Sequence, residues 1–221
     1  MHHQSVIAHK NKKIDLDLLK FNSFTNYKYR IMKNGKIKMV FLGEATVGKS
    51  SISERLHKGT FSDPGTGTIG AAFFRLQKDG ISLDVWDTAG QERYLSLSKM
   101  YYYDADIIIM VFDVTNLKTI DRIKYYLDKL QECRDNNYIV YIVGNKTDLL
   151  GEQELQRVKK ESIKLCKNFK FEKIFFASAL LNENINLLEN DFIEKSKHLS
   201  ENKIDQTIIL EPFYKKYLCN C

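Results

Sequence analysis

Gly43-Glu44-Ala45-Thr46-Val47-Gly48-Lys49-Ser50 is the stretch whose reading decides the fold. It satisfies G-x-x-x-x-G-K-[ST], in which a glycine-rich loop turns its backbone N–H groups inward around the phosphates of a nucleotide. In that pattern Lys49 reaches the β- and γ-phosphates and Ser50 offers its hydroxyl to Mg²⁺. Such a match arises by chance in roughly one chain of this length in a hundred, so the neighbouring residues carry the decision. Lys36–Leu42 becomes wholly apolar as it approaches Gly43, as a strand does in a parallel sheet covered on both faces. Ser51–His57 then places Ile52 and Leu56 one helical turn apart. The loop therefore leaves a strand's carboxyl end and sets its phosphate site at a helix N-terminus. A plain glycine-rich turn between two core elements is the competing reading.

Working outward, 221 residues give room for one domain with a full core plus tails. Apolar and charged contents are those of a soluble globular class rather than a disordered one. No apolar run reaches bilayer length and the N-terminus has no signal-peptide core, so a cytosolic setting is expected. Cys133 and Cys166 lie singly in helix-like segments and read as reduced, buried thiols. The net charge of +6 is uneven: residues 1–38 sum to +7 and the rest to −1. A solvated extension is the expectation for 1–35, with an acidic partner or an anionic membrane as alternatives. Nucleic acid is not expected, because no aromatic platform or zinc pattern accompanies the basic arm.

From Lys36 on, short β-branched runs alternate with 3.6-period segments, the signature of an α/β domain with a largely parallel sheet. Six strands are expected at Ile37–Leu42, Ala72–Gln77, Ser82–Asp87, Ile107–Asp113, Ile139–Gly144 and Lys173–Ala177. Lys78-Asp79-Gly80 should close a hairpin between the second and third. Helices are expected at Lys49–Lys58, Leu95–Tyr103, Thr119–Arg134, Glu152–Asn168 and Ile185–Leu199, with a short amphipathic piece around Ile14, Leu18 and Phe21.

Two further motifs follow strands. After the third comes Trp86-Asp87-Thr88-Ala89-Gly90-Gln91-Glu92. Its aspartate can hold Mg²⁺ through a water, its glycine can bring an N–H against a γ-phosphate, and Gln91 can orient an attacking water. After the fifth comes Asn145-Lys146-Thr147-Asp148. The Asp148 carboxylate can accept from the N1–H and amine of guanine, and adenine would leave it unpaired. Ser178-Ala179, after the sixth strand, offers a backbone N–H for the guanine O6. A turn remains the alternative reading of each motif taken alone.

In this order and spacing the four motifs resemble a Ras-superfamily small GTPase, and Trp86–Tyr94 with Met100-Tyr101-Tyr102 resembles its Rab branch. Thr68-Ile69-Gly70-Ala71-Ala72-Phe73 is similar to the early-endosomal, Rab-five-like subgroup. The resemblance covers about Lys36–Leu199 and implies a Ras-like P-loop α/β fold, with a six-stranded, mostly parallel sheet and helices on both faces. It implies a GTPase domain at 36–199, a flexible basic extension at 1–35 and a hypervariable prenylated tail at 200–221. GTP or GDP would be held by Glu44, Ala45, Thr46, Val47, Gly48, Lys49, Ser50, Ser51, Phe61, Thr68, Gly90, Asn145, Lys146, Asp148, Leu149, Ser178, Ala179 and Leu180. Mg²⁺ would take Ser50, Thr68 and Asp87, and catalysis would fall to Gln91 and Lys49. Phe73, Trp86 and Tyr101 would form the aromatic triad that effectors read, unless they simply fill core. Cys219 and Cys221 would carry two prenyl groups and anchor a monomeric domain to endosomal or other vesicular membranes, with a soluble cytosolic pool. Expected partners are an exchange factor, a GAP, a GDP-dissociation inhibitor, the prenylation machinery and effectors.

The chain also departs from that pattern. Ala45 and Thr46 stand closest to the γ-phosphate, and the Ala45 methyl can crowd the transition state, so slow hydrolysis is expected. Leu180 replaces the usual lysine, and Tyr103-Asp104 the usual Arg-Gly. Thr66 rivals Thr68 for the metal, in a segment with Pro64, Gly65 and Gly67. Residues 200–221 carry no net charge, so two prenyl chains alone would have to hold the membrane. A GTP-binding docking module that scarcely hydrolyses and a P-loop nucleotide kinase are the rival classes; for the latter, no arginine-rich lid is found.

Overall fold

Seven consecutive residues with no solvent-facing side can only be a central strand, and Ile37–Gly43 is one: β1 is buried along its whole length. The computed structural model describes residues 37–61, 67–90, 101–102, 104–131 and 138–204. Five further strands join β1: β2 (Ala71–Lys78), β3 (Ile81–Thr88), β4 (Ile107–Asp113), β5 (Ile139–Asn145) and β6 (Lys173–Phe176). Their order is β2-β3-β1-β4-β5-β6. β2 runs antiparallel to β3 through the expected hairpin, while every other pairing is parallel.

Among the described residues, four helices of ten residues or more cover the sheet: α1 (Lys49–Lys58), α2 (Ile120–Gln131), α3 (Glu152–Cys166) and α4 (Ile185–Ile204). Alternation along β1 explains the two cores. Ile37, Met39 and Phe41 pack with Ile52 of α1 and Leu188 and Phe192 of α4, whereas Val40 and Leu42 pack with Ile123 and Leu127 of α2 and Val158 of α3. Each such side chain, taken fully from water, contributes about 1.5–3 kcal/mol. The fold is thus the Ras-like P-loop α/β arrangement, with helices on both faces.

All six strands form where the sequence places them, to within a residue at most boundaries. Thr119 belongs not to α2 but to a 3-10 turn, Leu117–Thr119, whose cap residue Asn116 accepts from the Lys118 N–H. α3 ends at Cys166, whose thiol is buried and free, with burial raising its pKa. α4 continues past Leu199 to Ile204. Of the helix expected at 95–103, Tyr101 and Tyr102 are described and helical. The amphipathic piece at 14–21, Gln91, Thr66, Cys133, Cys219 and Cys221 lie outside the described residues.

Candidate functional site

Parallel strands deliver the loops that follow them to one end of the sheet. There the loop after β1, residues 67–68, and the loops after β3, β5 and β6 enclose a cleft of about 570 Å³. The 44–50 loop is folded by contacts that exclude side chains. Gly48 has φ 95, and a Cβ on it would lie 2.1 Å from Asn145 Nδ2. Thr46 keeps a left-handed φ of 62 without being glycine, a local strain that the surrounding loop must hold.

Lys49 is 5 % exposed, and its ammonium donates to the loop's own carbonyls, Glu44 O at 2.7 Å and Gly43 O at 3.3 Å. Burial lowers its pKa from 10.5 to about 8, partly offset by Asp87 and Glu44. The amine is held where it can turn from loop carbonyls to phosphate oxygens. Glu44 is in turn gripped from α2, because Arg122 Nε donates to its carboxylate at 3.2 Å.

On the same side, Ser50 and Thr68 bring their hydroxyl oxygens within 2.9 Å of each other. Asp87, at the end of β3, is 4 % exposed, and its Oδ1 is buried without a partner. Burial raises its pKa, with the Ser50 hydroxyl and the Lys49 ammonium pulling the other way. An orphaned carboxylate oxygen beside two hydroxyls is an all-oxygen donor set of the kind that suits Mg²⁺. Gly90 lies against the loop so closely that a Cβ would sit 2.4 Å from Glu44 O and 2.5 Å from Ala45 N.

At the other end of the cleft Asn145 acts as a brace. Its Nδ2 donates to Val47 O at 3.0 Å and its Oδ1 accepts from Ala179 N–H at 3.1 Å, so one side chain ties three loops together. The Ala179 N–H is therefore engaged by Asn145, which leaves the N–H of Leu180 as the open donor on that wall among the described residues. Ser178 Oγ donates to Asp148 Oδ1 at 2.5 Å, which aims the carboxylate. Lys146, with φ 72, pairs with Asp113 at 2.5 Å, and that contact with the Thr115 hydrogen bonds outweighs burial and lowers the Asp113 pKa. Phe61, Leu149 and Leu180 give the cleft apolar walls.

The structure brings together nearly all of the expected nucleotide residues. Ala45, Thr46, Gly48, Lys49, Ser50, Ser51, Phe61, Thr68, Gly90, Asn145, Lys146, Asp148, Leu149, Ala179 and Leu180 line the cleft. Glu44, Val47, Asp87 and Ser178 stand behind that lining and support it. Outside the cleft, Phe73, Trp86 and Tyr101 make a continuous aromatic row, with ring centroids 5.1 and 5.4 Å apart. Phe73 is half exposed, and Lys38 lies under Trp86 while pairing with Asp104. Sequence reasoning missed Arg55, Arg122 and Lys38, since each acts on a backbone or side chain far away in sequence and no local pattern marks it.

Comparison with known proteins agrees with this geometry. Residues 38–198 match the family model described as the Ras family. The GTP-binding protein YPT53 of Saccharomyces cerevisiae is 41% identical over 157 residues, covering 67% of this chain and 71% of its own length. The GTP-binding protein ypt5 of Schizosaccharomyces pombe is 36% identical over 176 residues, covering 76% and 81% respectively.

Proposed function

The chain belongs to the Ras family as a Rab-five-like small GTPase, and from that membership we propose that it is a membrane-anchored GTP/GDP switch recruiting effectors in endosomal vesicle traffic. The observation that carries the nucleotide reading is the single cleft that joins Lys49 at one end to Asp148 at the other. Its two ends call for a phosphate chain and a base with adjacent donors. Asp148 accepts from the N1–H and amine of guanine, Leu180 N–H serves its 6-oxygen, and Phe61, Leu149 and Leu180 pack on its faces. Lys49 and the N–H groups of 44–50 take the phosphates.

Ser50, Thr68 and Asp87 would hold Mg²⁺, which supplies charge neutralisation for the β- and γ-phosphate oxygens when bound. Gln91 orients the water for in-line attack, and Lys49 with the loop N–H groups stabilises the charge that develops. Among the described residues no arginine lines the cleft. The unaided rate is therefore slow, and a GAP that inserts an arginine accelerates it by about 10³–10⁵. In the GTP form, Thr68 and Gly90 draw their segments onto the γ-phosphate; hydrolysis releases them.

Phe73, Trp86 and Tyr101 form the effector-reading row, flanked by those two segments. Two prenyl groups on Cys219 and Cys221 hold the protein at the cytosolic face of the membrane, and a GDP-dissociation inhibitor shields them in the soluble pool. No helix among the described residues is long and apolar enough to cross a membrane. Single-turnover GTP cleavage tests the catalytic part: Gln91→Leu should bind GTP as tightly as wild type and cleave it at least tenfold more slowly. An unchanged rate would remove Gln91 from the mechanism.

A further inference from the structure

A single arginine grips the wall of the cleft that faces the base. Arg55, in the last turn of α1, is half-buried, and its guanidinium makes three hydrogen bonds, all to backbone carbonyls. Nε donates to Ala179 O at 3.0 Å, Nη2 to Leu180 O at 2.9 Å, and Nη1 to Gly59 O at 2.9 Å. Among the described residues no carboxylate neutralises it, so its whole charge is spent on those three oxygens. The arginine reaches across 124 and 125 residues of sequence to do this.

The geometry points to Arg55 as the positioning residue that aims the Leu180 N–H at the 6-oxygen of the bound purine. The Ala179 carbonyl and the Leu180 N–H belong to one planar, trans peptide, in which the two bonds point in opposite directions. Anchoring the carbonyl on the α1 side therefore turns the N–H away from α1, on the wall where Ala179 and Leu180 line the cleft. A cationic donor on the oxygen also polarises the peptide and strengthens its N–H as a donor. The neighbouring N–H of Ala179 is bound by Asn145, and that of Leu181 by Ser178 Oγ at 3.0 Å, so the loop presents the Leu180 donor alone. The third bond, to Gly59, fixes the chain two residues before Phe61, so one side chain holds both the aromatic and the backbone walls of the base site.

This inference rests on the guanine reading above, and the test separates the two. Dissociation constants are measured for GDP, for ADP, and for 2-aminopurine riboside 5′-diphosphate, which lacks the 6-oxygen and with it the N1–H, and for each nucleotide Arg55→Ala and Arg55→Lys are compared with the wild type. For Arg55→Ala, GDP should bind about tenfold more weakly, the equivalent of 1.4 kcal/mol, while the 2-aminopurine nucleotide changes less than about twofold. Arg55→Lys, with one ammonium for two carbonyls, should lie between. Equal weakening toward both nucleotides, or none toward either, overturns the proposal, and thermal melts of the nucleotide-free variants show whether Arg55→Ala is folded; if it is not, the Lys variant decides on the same criterion. Wild-type protein that binds ADP as tightly as GDP would instead refute the guanine reading itself.

Discussion

Lys49 shows how far burial alters one charge in the cleft. Its ammonium is desolvated and satisfied only by loop carbonyls, so it gives up its proton near pH 8 instead of 10.5. The unfolded chain keeps that proton up to about 10.5, so the ligand-free protein gains stability as pH rises from about 8 to 10.5. Phosphates placed against the amine reverse the shift, and binding must then take up a proton. Calorimetry of GDP binding in buffers of different ionisation heats should show uptake that grows between pH 7 and 8.5; a buffer-independent heat at pH 8 would contradict it. At the opposite end, Asp148→Ala should weaken GTP by at least tenfold and leave ATP binding nearly unchanged, which competition assays read directly, because only guanine presents two donors to that carboxylate. The places of Lys49 and Asp148 in the cleft were legible in the sequence because each falls inside a fixed spacing. The bracing of Asn145 was not, since its partners Val47 and Ala179 are set by strand order and not by any nearby residue.

Among elements, the approach of the β3 exit to the loop after β1 is where the proposed switch would sense the nucleotide. Gly90 touches the Glu44–Ala45 peptide with no room for a Cβ, and backbone atoms cannot yield as a flexible side chain would. Gly90→Ala should keep GDP affinity within a few-fold of wild type and abolish the difference in protease sensitivity between the GDP and GTP forms. Strand positions were readable because β1 is wholly apolar from Met39 to Leu42, β4 from Ile107 to Phe112, and β2 to β3 is joined by Asp79-Gly80. Helix ends were less so: residues 117–119 tighten into a 3-10 turn because the Asn116 side chain and the Thr119 hydroxyl form local bonds that periodicity does not register. The α2-to-loop link from Arg122 to Glu44 spans 78 residues and could be found only in three dimensions.

For the whole molecule, the proposed nucleotide and prenyl groups would set how stable the folded form is and where it resides. The buried Asp87 oxygen without a partner is a cost that a bound cation removes, so GDP with Mg²⁺ should raise the melting temperature more than GDP with EDTA. At a hundredfold excess over its dissociation constant, the complete ligand adds about 2.7 kcal/mol. Replacing both Cys219 and Cys221 by Ser should move a tagged protein from membranes to the soluble fraction while GTP turnover stays the same, which fractionation and phosphate release together check.

The ion pairs of α4 have a longer reach. Glu189, Asp191, Lys195 and Lys197 bind Lys78, Lys173, Glu172 and Asp79, and none of these residues lines the cleft. Substitutions along that helix can therefore raise or lower the stability of the domain without altering a residue that lines the cleft. Stability held at that end is a margin against which a destabilising change in the cleft loops would be set.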